Sequence, residues 1–324
     1  MCTAISFNVK DHYFGRNLDL YYNYNEQVVI TPKKFPFEFK MAGANNNHFA
    51  FIGMATVENG YPLYYDAVNE KGLAIAALNF PNNAFYEGEK AEKINLAPFE
   101  FIPYLLSNFN DIDEALPVIE NINLVNLKFR SNLPVTPLHF IVSDKTRSLV
   151  LEPSKDGIKI FENKIGVLTN NPPFDMQMML LQNYSFLSVK NPKSSFSPLI
   201  KVEPYSLGMG GMGLPGDLSS PSRFVRATFT KLNSVCLENE ESSVGQFFHI
   251  LGAVEQVKGL NFVEGGGYEY TLYSSCMNCD RGVYYYTTYG NRSITAVNMQ
   301  NEDLNSKSLI TFDLLKQENI INQN

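Results

Sequence analysis

The sequence predicts a mixed α and β fold in which two antiparallel sheets are covered by helices. Three observations predict it. Strand-forming runs crowd both ends of the 324-residue chain, helix-forming stretches lie between them, and 44% of residues are apolar, ample for a sizeable core. Length and composition alone leave one domain or two open, and no internal repeat is visible.

The elements follow in order. Thr3 to Val9 alternates, with Ile5, Phe7 and Val9 on one face, as a half-buried strand does. After Lys10-Asp11-His12 the chain returns as Tyr13-Phe14-Gly15-Arg16-Asn17-Leu18-Asp19, which predicts a short hairpin. Val28–Thr31 stops at Pro32, and His48–Val57 is another β-prone run. Asn69–Gly72 is a turn, and Leu73–Phe80 reads as a buried strand. Helices fit Ala97–Phe109 and Asp111–Asn121, with Pro103 expected to kink the first and Pro117 to break the second. Strands resume at Phe140–Ser143, Leu149–Glu152, Ile158–Phe161 and Val167–Asn170, and a helix runs from near Phe174 to Gln182 or Tyr184. Residues 185–220 hold Ser, Pro and Gly without periodicity; a long loop of this kind is usually functional or an assembly element. Ser219-Ser220-Pro221 then reads as a helix start, with a Ser cap, Pro in the first turn and Arg223 beside it. Ser243–Val257 is another helix. Strands follow around Tyr268–Ser275, Gly282–Tyr289, Ser293–Met299 and Ser308–Leu314, and 317–324 read as a frayed tail.

The totals exclude several functions. A net charge of −7 argues against a nucleic-acid partner, because phosphate binding needs a basic face. No apolar run approaches the ~20 residues that span a bilayer, and His12, Arg16 and Asp19 interrupt any early signal-like run, so the expected location is the cytoplasm. Four Cys in this length are no disulfide framework. Cys276-Met277-Asn278-Cys279 has a CxxC spacing, but zinc would need two more ligands, and no second CxxC or HxxxH exists. A redox pair should open a helix, and no helical pattern follows this one, so a structural role is expected; neither metal nor cofactor is implied. Gly208–Gly213 formally matches GxGxxG, but no clear strand leads into it and Leu214-Pro215-Gly216-Asp217 follows instead of a helix, so no dinucleotide site is expected.

The residue with the most chemistry is Cys2, directly behind Met1. A small side chain at this position favours removal of Met1, which would leave a thiol and a free α-amine on one residue. Such an amine has a pKa of about 7.7–8.0 and can serve as the base that generates the thiolate. The hairpin would return Arg16 and Asp19 beside Cys2, the cation to favour the thiolate and the carboxylate to hold the ammonium. A small buried Cys and an ordinary surface ion pair would leave the same letters. Asn79 and Asn170 end strands, where an amide can donate into a cleft or simply form a turn.

A resemblance carries these residues further. MCTAISF followed by YFGRNLDL resembles the opening of the bile salt hydrolases, which with the penicillin V acylases make up the choloylglycine hydrolase family of N-terminal-nucleophile amidohydrolases. The likeness continues through YPLYYDAVNEKGL (61–73), LNFP (78–81), GVLTNNP (166–172), GMGLPGDLSSPSRFVRATFTKLNS (211–234) and YSSC (273–276), and covers essentially the whole chain. It implies an α+β, four-layer αββα sandwich as a single domain over 1–324, a homotetramer with part of 185–220 as the assembly loop, and a gut bacterial source. Residue by residue, it implies Cys2 as nucleophile, Arg16 beside it and Asp19 holding the amine. Asn79 and Asn170 would surround the tetrahedral centre, Asn79 forming the oxyanion hole with a backbone N–H, and Arg223 would complete the ring. The implied reaction is hydrolysis of the amide between a bile acid and glycine or taurine through a Cys2 thioester. A penicillin V acylase on the same scaffold and a non-catalytic binder of amphipathic ligands are the alternatives. Leu18, Tyr24, Tyr65 and Leu133 are pocket candidates that could equally be core. One departure stands out: Phe140 follows His139 where the family often has Trp, and the chain has no Trp.

Overall fold

The computed structural model describes residues 1–324, and its fourteen main strands lie in one six-stranded and one eight-stranded sheet. In chain order these are β1 (Cys2–Asn8), β2 (His12–Leu20), β3 (Gln27–Thr31), β4 (Phe51–Glu58), β5 (Tyr61–Asn69), β6 (Ala74–Asn79) and β7 (Leu138–Ser143). The others are β8 (Ser148–Ser154), β9 (Gly157–Glu162), β10 (Val167–Leu168), β11 (Tyr270–Asn278), β12 (Val283–Thr288), β13 (Asn291–Asn298) and β14 (Ile310–Asp313). The first sheet runs β10-β1-β2-β11-β12-β13 and the second β9-β8-β7-β6-β5-β4-β3-β14. Every pair in both is antiparallel.

Five helices cover them: α1 (Phe101–Asn108), α2 (Ile112–Ile119), α3 (Phe174–Leu181), α4 (Ser220–Asn233) and α5 (Glu240–Gly252). Helices α1 and α2 pack on the outer face of the eight-stranded sheet, where Leu105 and Ile112 join Ile75, Phe140 and Leu151 in one core. Helices α4 and α5 cover the six-stranded sheet, and their Phe224 and Phe247 belong to a second core that extends between the sheets. The layer order is therefore αββα. Alternate residues of one strand serve different cores: Ala74, Ala76 and Leu78 of β6 face the first sheet, while Ile75 and Ala77 face α1. Strands buried on both faces read as continuous apolar runs, which is why Leu73–Phe80 was recognisable.

Several boundaries differ from expectation. Pro103 is the third residue of α1, where its missing N–H has no intrahelical partner to lose, so no kink is forced. Pro117 lies within α2 without ending it; the Asp111 cap, accepting from Glu114 N at 2.9 Å, holds the other end. Ser219 takes the N-cap position of α4 but makes no side-chain cap bond. Asp217 accepts there instead, from Ser219 N (2.9 Å) and Ser222 Oγ (2.5 Å). The strand expected over 167–170 stops at Leu168. No helix is long and apolar enough to cross a membrane.

Candidate active site

Cys2 opens β1, and its side chain faces the space between the sheets. Alternation decides this: Ser6, on the Cys2 face, accepts from Ser143 Oγ of β7 at 2.8 Å, whereas Phe7 meets Phe247 of α5. The β1–β2 hairpin pairs Cys2 with Leu18 and Ala4 with Arg16. Arg16 shares the Cys2 face, and its Nη1 donates to the carbonyls of Tyr65 (3.2 Å) and Ala77 (2.5 Å) across the sheet interface. Asp19 lies on the helix side, its carboxylate accepting from Thr271 Oγ1 (2.6 Å) and Gln256 Nε2 (3.0 Å). The hairpin thus returns both residues beside Cys2, but on opposite faces of the sheet.

Asn170 and Arg223 reach the same point from other elements. Cys2 N donates to Asn170 Oδ1 at 2.7 Å. Arg223 Nη2 donates to the same oxygen at 2.9 Å, and its Nη1 donates to Cys2 O and to Thr3 Oγ1 (2.5 and 2.6 Å). Asn170 Nδ2 in turn donates to Asn79 O at 2.7 Å. Asn170 can do this because it has left the sheet: its N–H donates to Ser220 Oγ (2.8 Å) and its carbonyl accepts from Gln177 Nε2 (2.7 Å). Asn79 ends β6 half-buried, and its side-chain amide has no partner in the protein.

Both guanidinium groups are completely buried, yet they are perturbed in opposite senses. Burial alone would lower each. At Arg16 burial, which lowers the pKa, is outweighed by the acidic groups around it, Cys2, Tyr273, Asp66 and Asp19, and the pKa is raised. At Arg223 burial outweighs Asp19, Cys2 and Glu269, and the pKa is lowered. Arg16 also keeps one buried nitrogen, Nη2, with no hydrogen-bond partner.

Met1 is present, and its ammonium donates to Asp19 O (2.6 Å) and Glu269 Oε2 (2.7 Å). Asp19 N donates to Met1 O at 2.9 Å. With Met1 in place, then, Asn170 receives the Cys2 N–H, while Thr271 and Gln256 occupy the Asp19 carboxylate.

The pocket candidates divide. Leu18 is buried in register with Cys2. Tyr65 is half-buried, gives its carbonyl to Arg16, and meets Thr56 Oγ1 through its hydroxyl at 2.9 Å. Thr56 Oγ1 also donates to Tyr24 O at 3.1 Å, which links exposed Tyr24 to Tyr65. Leu133 lies in a loop fastened to the β4–β5 hairpin by the Arg130–Glu58 ion pair (2.5 Å).

Sequence reading missed a second ring of polar residues. Asp66 accepts from Ser275 Oγ (2.5 Å) and Tyr284 OH (2.9 Å), and Ser275 Oγ accepts from Arg16 N (3.1 Å). Asp66 and Ser275 stand inside the YPLYYDAVNEKGL and YSSC motifs, which was the available signal. Gly15 lets this approach happen, since a Cβ there would lie 2.0 Å from Ser275 O. Cys276 and Cys279 are buried free thiols pushed well above the usual thiol range by burial. No group of three or more His, Cys, Asp and Glu could hold a metal ion. In the glycine-rich stretch, Gly210 O accepts from Ser188 N at 2.9 Å, which packs the long loop against itself.

Residues 2–312 match the family described as linear amide C-N hydrolases, choloylglycine hydrolase family. The chain is 52% identical over 314 residues to the bile salt hydrolase/transferase of Lactiplantibacillus plantarum, covering 97% of each. It superposes on the crystal structure of the mutant C2A conjugated bile acid hydrolase from Clostridium perfringens with a TM-score of 0.92, at 34% identity and full coverage of both chains. Penicillin V acylase from Agrobacterium tumefaciens shares the fold, with a TM-score of 0.75 at 18% identity over 97% of this chain and 91% of that one. On this extent of similarity, the chain belongs to the choloylglycine hydrolase family of linear amide C-N hydrolases.

Proposed function

We propose that the protein hydrolyses the amide bond of conjugated bile acids, with Cys2 as nucleophile. One observation carries the mechanism: Cys2 N, the Asn170 side-chain amide, Asn79 O and Arg223 form one hydrogen-bonded network, which ties the backbone of Cys2 to that of Asn79 through Asn170. The substrate class rests on the named relatives in L. plantarum and C. perfringens. With Met1 removed, the Cys2 α-amine takes the thiol proton and the thiolate attacks the amide carbonyl. The Asn79 amide and a backbone N–H receive the oxyanion. The ammonium returns its proton to the departing amine nitrogen, leaving a thioester that water cleaves to free bile acid and thiol. The unpaired Arg16 Nη2 is a charged donor available to the thiolate. A thioester is open to amines as well as water, and the L. plantarum relative is named for transfer as well as hydrolysis.

The test is product analysis with glycine- and taurine-conjugated bile acids beside penicillin V. Free bile acid should form faster than phenoxyacetic acid. A preference for penicillin V would assign the protein to the acylase alternative instead.

The 185–220 segment supports an assembly role, and we infer a homotetramer. Leu199 is 89% and Leu207 94% exposed, an apolar display that usually marks an interface. Light scattering at micromolar concentration should give four times the chain mass; a monomer would refute the inference.

A further inference from the structure

His139 lies where the two amide-bearing segments meet, and no step above uses it. It stands in β7 beside Leu138, which pairs with Asn79. Its ring stacks on Phe80, the residue after Asn79, with centroids 4.2 Å apart and planes 7° from parallel. Its Nε2 is 2.8 Å from the carbonyl oxygen of Thr169, the residue before Asn170. A carbonyl oxygen only accepts, so Nε2 carries a proton and donates. The other nitrogen, Nδ1, lies 3.4 Å from Glu152 Oε1, which also accepts from Phe174 N at 2.9 Å at the start of α3. Both side chains are shut off from solvent, 0% and 4% exposed.

Thr169 lies beyond the end of β10, outside the ladder. Its carbonyl is instead received by a ring that is clamped on its other side against the Asn79 strand. A planar ring between a stack and a directed hydrogen bond has little freedom, and Glu152 limits its rotation. We propose that His139 is a positioning residue for the amide hydrolysis, its ring setting the separation of Asn79 and Asn170, with Glu152 fixing the ring. This rests on Asn79 and Asn170 flanking the reacting carbonyl.

The experiment is a kinetic cycle on a glycine-conjugated bile acid. His139→Phe keeps the stack and removes the donor. It should lower kcat by about 10- to 100-fold with KM within about twofold of wild type. His139→Gln, which retains an N–H near the Nε2 position, should recover most of the loss. The double variant with Asn170→Ala should be no slower than Asn170→Ala alone, because His139 acts through that segment. An unchanged kcat in His139→Phe, or a loss that adds fully to that of Asn170→Ala, overturns the proposal. If Asn170→Ala itself retains wild-type kcat, the reading of Asn170 fails, whatever His139 does. Should His139→Phe not fold, Glu152→Gln replaces it in the cycle, with the same non-additivity expected and the same additivity fatal.

Discussion

Cys276 and Cys279 are as deeply buried as Cys2, and their surroundings separate the three thiols. Around Cys276 and Cys279 burial, and after it negative neighbours such as Glu240 and Asp280, hold the proton on sulfur. Cys2 instead lies beside two buried guanidinium groups, Arg16 on its own face of the sheet and Arg223 donating to its carbonyl. Iodoacetamide on the native enzyme should therefore modify Cys2 and half-exposed Cys236, and leave Cys276 and Cys279 untouched. Peptide mass mapping checks this, and loss of activity should follow the Cys2 adduct alone. Asn79 allows a second test at this scale. Its amide is free of protein partners, so it is available to a developing oxyanion. Asn79→Ala should lower kcat by about 10²–10³ and leave KM nearly unchanged. Steady-state kinetics decide; a change confined to KM would make Asn79 a binding residue.

Elements explain why some of the site was legible and some was not. The β1–β2 hairpin is local, and Ile5, Phe7 and Val9 alternate cleanly, so Arg16 and Asp19 could be placed beside Cys2 from sequence. That they fall on opposite faces follows from the one-residue-per-face pleat, given Cys2 opposite Leu18. Strand β5 escaped notice because Pro62 interrupts its start, although Pro62 lies close to the tip of the β4–β5 hairpin. The support of Arg16 by Asp66 and Ser275 could not be read, because it depends on how β11 registers against β2 and how one sheet lies on the other. That support has a measurable worth. Asp66 accepts three bonds, from Ser275 Oγ, Tyr284 OH and Met54 N. Asp66→Asn replaces one acceptor by an N–H₂ facing a donor, and should cost about 1–3 kcal/mol. Urea unfolding would show it as a lower midpoint with unchanged slope.

At the scale of the whole molecule the two sheets are joined at both ends of the β1–β2 hairpin. Cys2 and Arg16 lie toward one end, and at the other His12 Nε2 meets Ser6 Oγ (3.0 Å) and Ser143 Oγ (3.1 Å) between the sheets. The family motifs mark the first end; nothing in the scattered histidines marked the second. His12 is 1% exposed, and burial lowers its pKa from 6.5 to about 4, against the upward pull of Asp280 and Asp144. The unfolded chain binds a proton here below pH 6.5, while the folded protein does not until pH falls to about 4. Acid therefore favours the unfolded state through this group: its contribution is complete above pH 6.5 and is lost as pH falls toward 4. One such site changes stability by about 1.4 kcal/mol per pH unit, so about 3 kcal/mol is at stake across that window. His12→Gln should be less stable at neutral pH, since it disturbs the Ser6 and Ser143 contacts, but its stability should fall less steeply with acid. Denaturant unfolding of both proteins at several pH values between 7 and 4 measures the difference directly. Carboxylates titrate in both and cancel in the comparison. Parallel curves would mean that His12 accepts its proton in the folded protein as readily as in the unfolded one, and that the seal between the sheets is open to water at that end.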